Sequence, residues 1–422
     1  MALFIEGVSE YIMLLFRNLL NPYRGMPREI YVIFIARIIN AIGAFVMPLM
    51  TIILTQSIGL SKEMAGLYLS LAGIINLPAS LIGGKLADSF GRKKVILFFD
   101  GLAIVLYLIA GCMQPSMDLV YVVILAGAAM TTAGPAHDSL IADLTTPANR
   151  SGAYALSYLG WNIGFAVGPV MGGLLYQHHL SWVFIGDALT AFLALLLILF
   201  FIKETIHTTH EEIQDEERRL ERREKGSIFQ VLMKRPILIC FAIIMFGYNF
   251  TYSQWSFMLP MQTMEKFPAN GAQYFGFVAG FNGLIVMIFT PIVTKLSEKL
   301  THLRRAVIGG ILYAVGFGML GVLNSLFFLF VWAFVFTLGE IILAISVTPF
   351  IADHTPASHR GRMSAIIPML SGLGFTLGPL GMGKVLNYVS IDTGWMALGI
   401  STLIFTVFMK ILERSEKRGT AN

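Results

Sequence analysis

Ile-Ala-Asp-Leu-Thr-Thr-Pro-Ala-Asn-Arg at 141–150 returns 210 residues later as Ile-Ala-Asp-His-Thr-Pro-Ala-Ser-His-Arg at 351–360. The same offset lays GFAVGP (164–169) on GFTLGP (374–379) and Gly173 on Gly383. Upstream it lays GKLADSFGRKK, from 84, on TKLSEKLTHLRR, from 294, so that Lys85 meets Lys295 and Asp88 meets Glu298. One register held without a gap across three blocks is the mark of an internal duplication. The chain is one unit written twice.

The unit is a membrane unit. Of 422 residues, 56% are hydrophobic and 13% charged, and mean hydropathy is +0.73. Soluble domains carry about a quarter charged residues. A spanning helix takes about 20 apolar residues, and an outer-membrane strand alternates instead. The composition therefore excludes a soluble enzyme and a disordered chain. Cys112 and Cys240, both in apolar runs, give no disulfide framework and no thiolate metal site. Apolar runs between charged or turn breaks predict twelve spans, at 29–55, 64–87, 94–113, 119–143, 152–176, 182–202, 236–261, 272–297, 305–324, 326–352, 363–386 and 393–412. They are numbered 1 to 12 in that order. The expected organisation is a segment 1–28, a six-helix half 29–202, a charged linker 203–235, a second six-helix half 236–412 and a tail 413–422. Residues 1–28 lack a cleavage signal. Leu3, Phe4, Val8, Ile12, Leu15, Phe16 and Leu19 can form one apolar face of a helix lying on the membrane surface.

Six is an even number, so both copies enter the membrane with the same orientation and are related by an axis along its normal. Lysines and arginines fix the direction. One side carries Arg17, Arg24, Arg28, Lys85, Arg92, Lys93, Lys94, Arg150, the linker cations, Lys295, Lys299, Arg304, Arg305, Arg360, Arg362 and the C-terminal cations Lys410, Arg414, Lys417 and Arg418. The other carries Lys62, Lys266 and Lys384. Both termini and the linker are expected in the cytoplasm. The net charge of +5 is then a topology signal and gives no reason to expect nucleic acid.

Gly84-Lys85-Leu86-Ala87-Asp88-Ser89-Phe90-Gly91-Arg92-Lys93-Lys94, between spans 2 and 3, closely resembles the cytoplasmic signature of the major facilitator superfamily. Asp143, Pro147, Arg150 and Gly152 resemble that family's pattern at the end of span 4. The resemblance covers the whole chain in topology. It implies an all-α membrane fold of twelve helices in two pseudo-symmetric halves that rock about a central cleft. It also implies that Gly84, Asp88, Gly91, Arg92, Asp143 and Arg150 form a latch holding the halves in the outward-facing state. The second copy has His302 where the first has Arg92, which implies a weaker second latch. Gly164, Gly168, Pro169, Gly172 and Gly173 in span 5 resemble the motif of proton-coupled drug antiporters, although Ala155 and Met382 depart from the full pattern. Small residues there allow close helix packing, and Pro169 bends the span. The arginine typical of drug antiporters within span 4 is missing.

Ionisable residues inside a membrane are functional candidates by default. Glu340 in span 10 lies about 18 Å from the cytoplasmic end of its helix, near the midplane. The family resemblance places spans 1, 4, 7 and 10 around the cavity, and Glu340, Arg37 and Asp138 all lie on them. Glu340 is the expected main proton site, with Asp138 and Arg37 as a buried ion pair at similar depth. His137, Asp100 and Asp187 are expected in structural roles. On span 7, Tyr248, Tyr252 and Trp255 recur at helical spacing, with Asn249 and Gln254 between them. Aromatic faces attract lipophilic cations, so these residues, together with Asn162, Met47, Pro48, Met258 and Met261, are the expected substrate cavity. No phosphate-binding loop and no metal cluster is present, and no cofactor is expected. The chain therefore reads as a monomeric carrier in the bacterial cytoplasmic membrane, handling a small molecule and protons and acting as a multidrug-type exporter. A lipid flippase or a proton-coupled metabolite uptake carrier of the same fold are the alternatives. The polar groups are too dispersed for a membrane enzyme, and the linker is too short to be a sensor domain.

Overall fold

A computed structural model of the protein describes residues 25–206, 235–322, 325–355 and 360–419, all helix and connecting turns without a strand among them. The expected surface helix within 1–28 and nearly all of the linker lie outside the described residues. The twelve spans form as expected. Span 1 comprises Arg28–Ile42, Val46–Ile52 and a π-helical turn Ile53–Ser57. Spans 2 to 6 are Lys62–Phe90, Arg92–Cys112, Met117–Asp143, Pro147–Tyr176 and Leu180–Phe201. Span 7 comprises Pro236–Tyr252 and Gln254–Lys266. Spans 8 to 12 are Gly271–Ser297, His302–Met319, Leu326–Asp353, Arg360–Val385 and Ile391–Gly419. Ten of these are long and apolar enough to cross a membrane by composition alone. Spans 5 and 9 fall outside that set. Span 5 is rich in glycine, and span 9 is short and opens on His302, Arg304 and Arg305.

Local sequence sets the ends. Ser61, Ser116 and Thr301 accept backbone N–H groups of the first turns of spans 2, 4 and 9, and Thr146 with Asn149 forms a capping box on span 5. Such caps satisfy donors that the helix itself leaves unpaired. Span 12 runs past residue 412, into the expected tail. Glu413 is paired with both Lys410 and Lys417, and Glu416 lies 2.8 Å from His354 at the end of span 10. Those contacts carry the helix beyond the apolar run.

Spans 1 and 7 are both interrupted. The break in span 1 falls at Gly43–Phe45 and that in span 7 at Ser253. Gly43 and Ser253 are 210 residues apart, so the interruption belongs to the duplicated unit.

The halves meet mainly through spans 2 with 11 and 5 with 8. A Cβ added at Gly276 would stand 2.3 Å from the Pro169 carbonyl oxygen, one at Gly66 2.2 Å from that of Pro379, and one at Gly173 2.5 Å from that of Ala272. Only glycine admits backbones so close. These contacts lie toward the end bearing Lys62, Gln177 and Lys266, the far end. The Lys62–Glu265 pair, Asn387 to Glu63, Leu380 N–H to Ser70, and Gln177 to Ala269 and Asn270 join the halves there. At the opposite end, which bears the linker, partners change. Gly83 and Gly84 of span 2 face Thr132 and Pro135 of span 4, within their own half, and Gly160 of span 5 faces Phe34 of span 1. The helices that meet across the molecule at the far end diverge at the linker end. Among the described residues, the protein is closed at the far end and open at the linker end.

Candidate functional site

At the linker end the turn between spans 2 and 3 depends on Gly91. Its φ of 106° is a left-handed conformation that favours glycine, and an added Cβ would meet the Glu204 carboxylate at 2.5 Å. Glu204, not foreseen from sequence, accepts the Arg92 N–H at 2.8 Å and the Lys94 N–H at 3.3 Å. It thereby caps span 3 from the end of span 6. Burial works against its charge, but the N–H groups of Lys94, Thr205, Arg92 and Lys93 outweigh it, and its carboxyl titrates below the ordinary value. A lowered value stabilises the fold above the unfolded pKa of about 4.3 and loses that stabilisation as pH falls through the folded one. Glu204→Ala is expected to cost about 1 kcal/mol, the usual worth of a cap, read as a lower unfolding temperature near neutral pH. The difference from the parent should shrink in acid.

Arg92 Nε lies 2.9 Å from Asp143 Oδ2, an ion pair whose N–H is not aimed along a hydrogen bond. Thr205 donates to the same oxygen. Asp88 lies 3.7 Å from Arg92 with its side chain 74% exposed. The expected latch residues are thus together, but they join spans within one half. Arg150 reaches the Ala142 carbonyl oxygen at 3.5 Å. The second copy repeats the pairing, with His302 Nε2 3.2 Å from Asp353.

Between the halves lies a cavity of about 320 Å³, walled by Asn40, Met47, Pro48, Thr51, Asn76, Tyr107, Trp161, Phe165, Asp187, Trp255, Phe375 and Thr376 among others. Its aromatic side is continuous: Trp161 stacks on Phe165, Phe165 meets Trp255 edge-on, and Trp255 stacks on Phe275. Met47, Pro48 and Trp255 stand where expected. The remaining expected cavity residues do not line this wall. Tyr248 turns into the second half, donating to Thr406 at 3.1 Å. Gln254, fully buried, donates to Phe250 and Ser253 beside Gly378. Asn162 is buried and bonds back to Tyr158, Asn249 donates to the Ser371 carbonyl oxygen, and Met258 and Met261 are core. The break at Ser253 separates Trp255 from the face that carries Tyr248. Span 5 seats its glycines on two neighbours: Gly164 and Gly168 press on Ala41 of span 1, Gly172 on Phe45 and Leu49, and Gly173 on span 8.

Glu340 is partly buried. Oε1 accepts the Tyr252 hydroxyl at 2.9 Å, and Oε2 accepts Asn282 Nδ2 at 2.8 Å. Its described hydrogen-bond partners are neutral. Tyr252 stacks on Tyr313 and packs on Phe375 of the cavity wall, and Tyr158, 56% exposed, lies within electrostatic reach of the carboxylate. Glu340 therefore sits one ring behind the cavity.

Arg37 and Asp138 do not form the expected contact pair. Arg37 Nε donates to Ser157 at 3.3 Å and lies within electrostatic reach of both Asp138 and Asp100. Asp138 is exposed, with the Tyr154 hydroxyl on its backbone oxygen. Instead His137 bonds Asp100 at 2.8 Å. The 100° between consecutive residues on a helix sends His137 toward span 3 and Asp138 away from it. Arg37, Asp100 and His137 share a small cavity of about 40 Å³ within the first half.

A family model described as Major Facilitator Superfamily matches residues 33–322 and 303–422. The chain is 24% identical over 387 residues to a Na(+), Li(+), K(+)/H(+) antiporter of Planococcus maritimus, covering 86% of this chain and 88% of that one. It is 23% identical to a multidrug resistance protein MdtH of Blochmanniella floridana, over 88% and 91% of the two chains. Among solved structures, a peptide transporter POT in complex with sulfate superposes with a TM-score of 0.75 at 17% identity, over 94% and 96% of the chains. That likeness is one of fold.

Proposed function

The chain belongs to the major facilitator superfamily, and from that premise we propose that it exports small lipophilic or cationic compounds in exchange for protons. Transport by this fold proceeds through a cleft between two halves. The observation that carries the proposal is Glu340, held by Tyr252 and Asn282 next to an aromatic cavity. Charged carboxylates are costly away from water, and a proton or an organic cation removes that cost. One carboxylate serves one of them at a time, which makes the two compete. The rings of Trp161, Phe165 and Trp255 offer the flat, polarisable surface that a lipophilic cation favours. The antiporter and multidrug names of the relatives support the same reading.

With the linker end taken as cytoplasmic, on the cation asymmetry, the arrangement is the inward-open state. Asp88, Arg92 and Asp143 then stand ready to engage span 11 when that end closes. Asp88→Asn is expected to slow turnover severalfold with cargo affinity unchanged, measured as initial rates and equilibrium binding on the same preparation. Parental turnover would remove Asp88 from the latch.

The proposal is tested in proteoliposomes carrying a pH gradient. Adding tetraphenylphosphonium should dissipate the gradient when protein is present and leave it intact in empty vesicles. Cation movement that ignores the gradient would reject exchange. Movement in the same direction as the proton would favour an uptake carrier.

A further inference from the structure

Asp187 of span 6, expected in a structural role, is part of the cavity wall. The reason is the break in span 1. Where Gly43, Ala44 and Phe45 leave the helix, two backbone N–H groups lose their helical partners, and Asp187 fills the gap. Its Oδ2 accepts the Val46 N–H at 3.3 Å, and the Phe45 N–H, which bonds the Gly43 carbonyl oxygen at 2.7 Å, also lies within reach of the carboxylate. Asp187 is 4% exposed, and no cation lies within ion-pair distance of it among the described residues. Backbone N–H groups orient a carboxylate but do not neutralise it. Such a group is far less costly to bury with a proton than without one.

From span 3 the Tyr107 phenol lies within electrostatic reach of Asp187. From span 4 the nearest wall residue is the apolar Met130, and span 1 contributes Asn40. Asn40, Tyr107 and Met130 also wall the smaller cavity that holds Arg37, Asp100 and His137. Asp100 and His137 lie about two helical turns from Tyr107 and Met130 toward the linker end. Span 5 presents Phe45's other neighbour, Gly172, and no ionisable group at this level among the described residues. His137, Asp100, Tyr107 and Asp187 thus line two cavities that share a wall, with the apolar Ala103, Ile104 and Met130 between the groups, and all lie in the first half.

The second half is built differently. Ala397 occupies the position equivalent to Asp187, and Met130 the position equivalent to Glu340. Each half thus has one buried carboxylate beside the interruption of its first span: Asp187 on the Val46 N–H, Glu340 on Tyr252, the last residue before Ser253. We propose that Asp187 is a second proton-binding residue, facing the cargo cavity and set at the break of span 1. The inference deepens the proton exchange proposed above, adding a second carrier of the proton in the opposite half. Protonation changes the acceptor strength of Asp187 for the Val46 N–H, and so acts on the joint about which span 1 bends.

The test uses the full chain in lipid nanodiscs and needs no cargo. Infrared difference spectra between buffers at about pH 6 and about pH 9, both above the ordinary carboxyl range of about 4, report through the C=O stretch only those carboxyls that keep a proton above that range. The expected result is two titrating bands. Asp187→Asn, whose amide oxygen still accepts the Val46 N–H, should remove one of them, and Glu340→Gln the other. Asp187→Glu should retain two bands with one displaced. It answers the question if the asparagine variant does not fold. A spectrum of Asp187→Asn, or of Asp187→Glu, identical to that of the parent overturns the proposal. Loss of a band in Glu340→Gln alone would leave the exchange reading standing while this one falls, and persistence of both bands in Glu340→Gln would do the reverse.

Discussion

With Glu340 replaced by glutamine, cargo movement in reconstituted vesicles is expected to lose most of its response to an imposed pH difference, with only Asp187 left to titrate, while downhill cargo exchange continues. The side chains have the same shape. Glutamine can turn its oxygen toward Asn282 and its NH2 toward Tyr252, whose hydroxyl accepts as readily as it donates. The two hydrogen bonds of 2.8 and 2.9 Å are thereby replaced, and the cost to stability should stay near 1 kcal/mol. What disappears is the ability to gain and lose a proton. Without it the pH gradient has no purchase on the second half. The measurement is accumulation against a concentration gradient, with and without a pH step. Accumulation that follows the pH step as steeply as in the parent would take Glu340 out of the coupling.

The second large effect concerns the seal. Gly276→Leu places a side chain where even a Cβ would stand 2.3 Å from the Pro169 carbonyl oxygen. Backbone cannot yield there without moving span 5 away from span 8, which separates the halves at the far end. Overpacking of this kind costs about 1–3 kcal/mol, and the whole of it falls on the state closed at that end. The population ratio should therefore move roughly 5- to 150-fold toward the state open at the far end. Spin labels across the far end should report a longer distance, and transport should fall accordingly. Gly127→Ala is the control, since an added Cβ there meets nothing within 4 Å. Unchanged distances in Gly276→Leu would mean that spans 5 and 8 do not form the seal.

The duplication and the spans were legible because apolar length and a 210-residue register are properties of the chain itself. The breaks were not. Gly43 hints at one, but Ser253 carries no proline or glycine, and both depend on neighbours that satisfy the freed backbone groups. The misreadings follow from that. A straight span 7 would put Tyr248 and Trp255 on one face; the interruption between them sends Tyr248 into the core and leaves Trp255 at the cavity. A straight span 1 would screen span 6; the opened one admits Asp187. The His137–Asp100 bond joins side chains 37 residues apart in sequence, and no periodicity announces such a partner. Glu204 was missed because its role is to hold backbone, which leaves no pattern in the sequence.

The far-end joint is built mostly from glycine against carbonyl, with a single ion pair, Lys62 to Glu265 at 3.9 Å, among its described contacts. Dissolved salt screens charges within about 10 Å at 0.1 M but does little to steric fit. A carrier closed in this way should switch between its two states with nearly the same ease in fresh water and in brine, so the salinity outside the cell would set neither its resting state nor its pace.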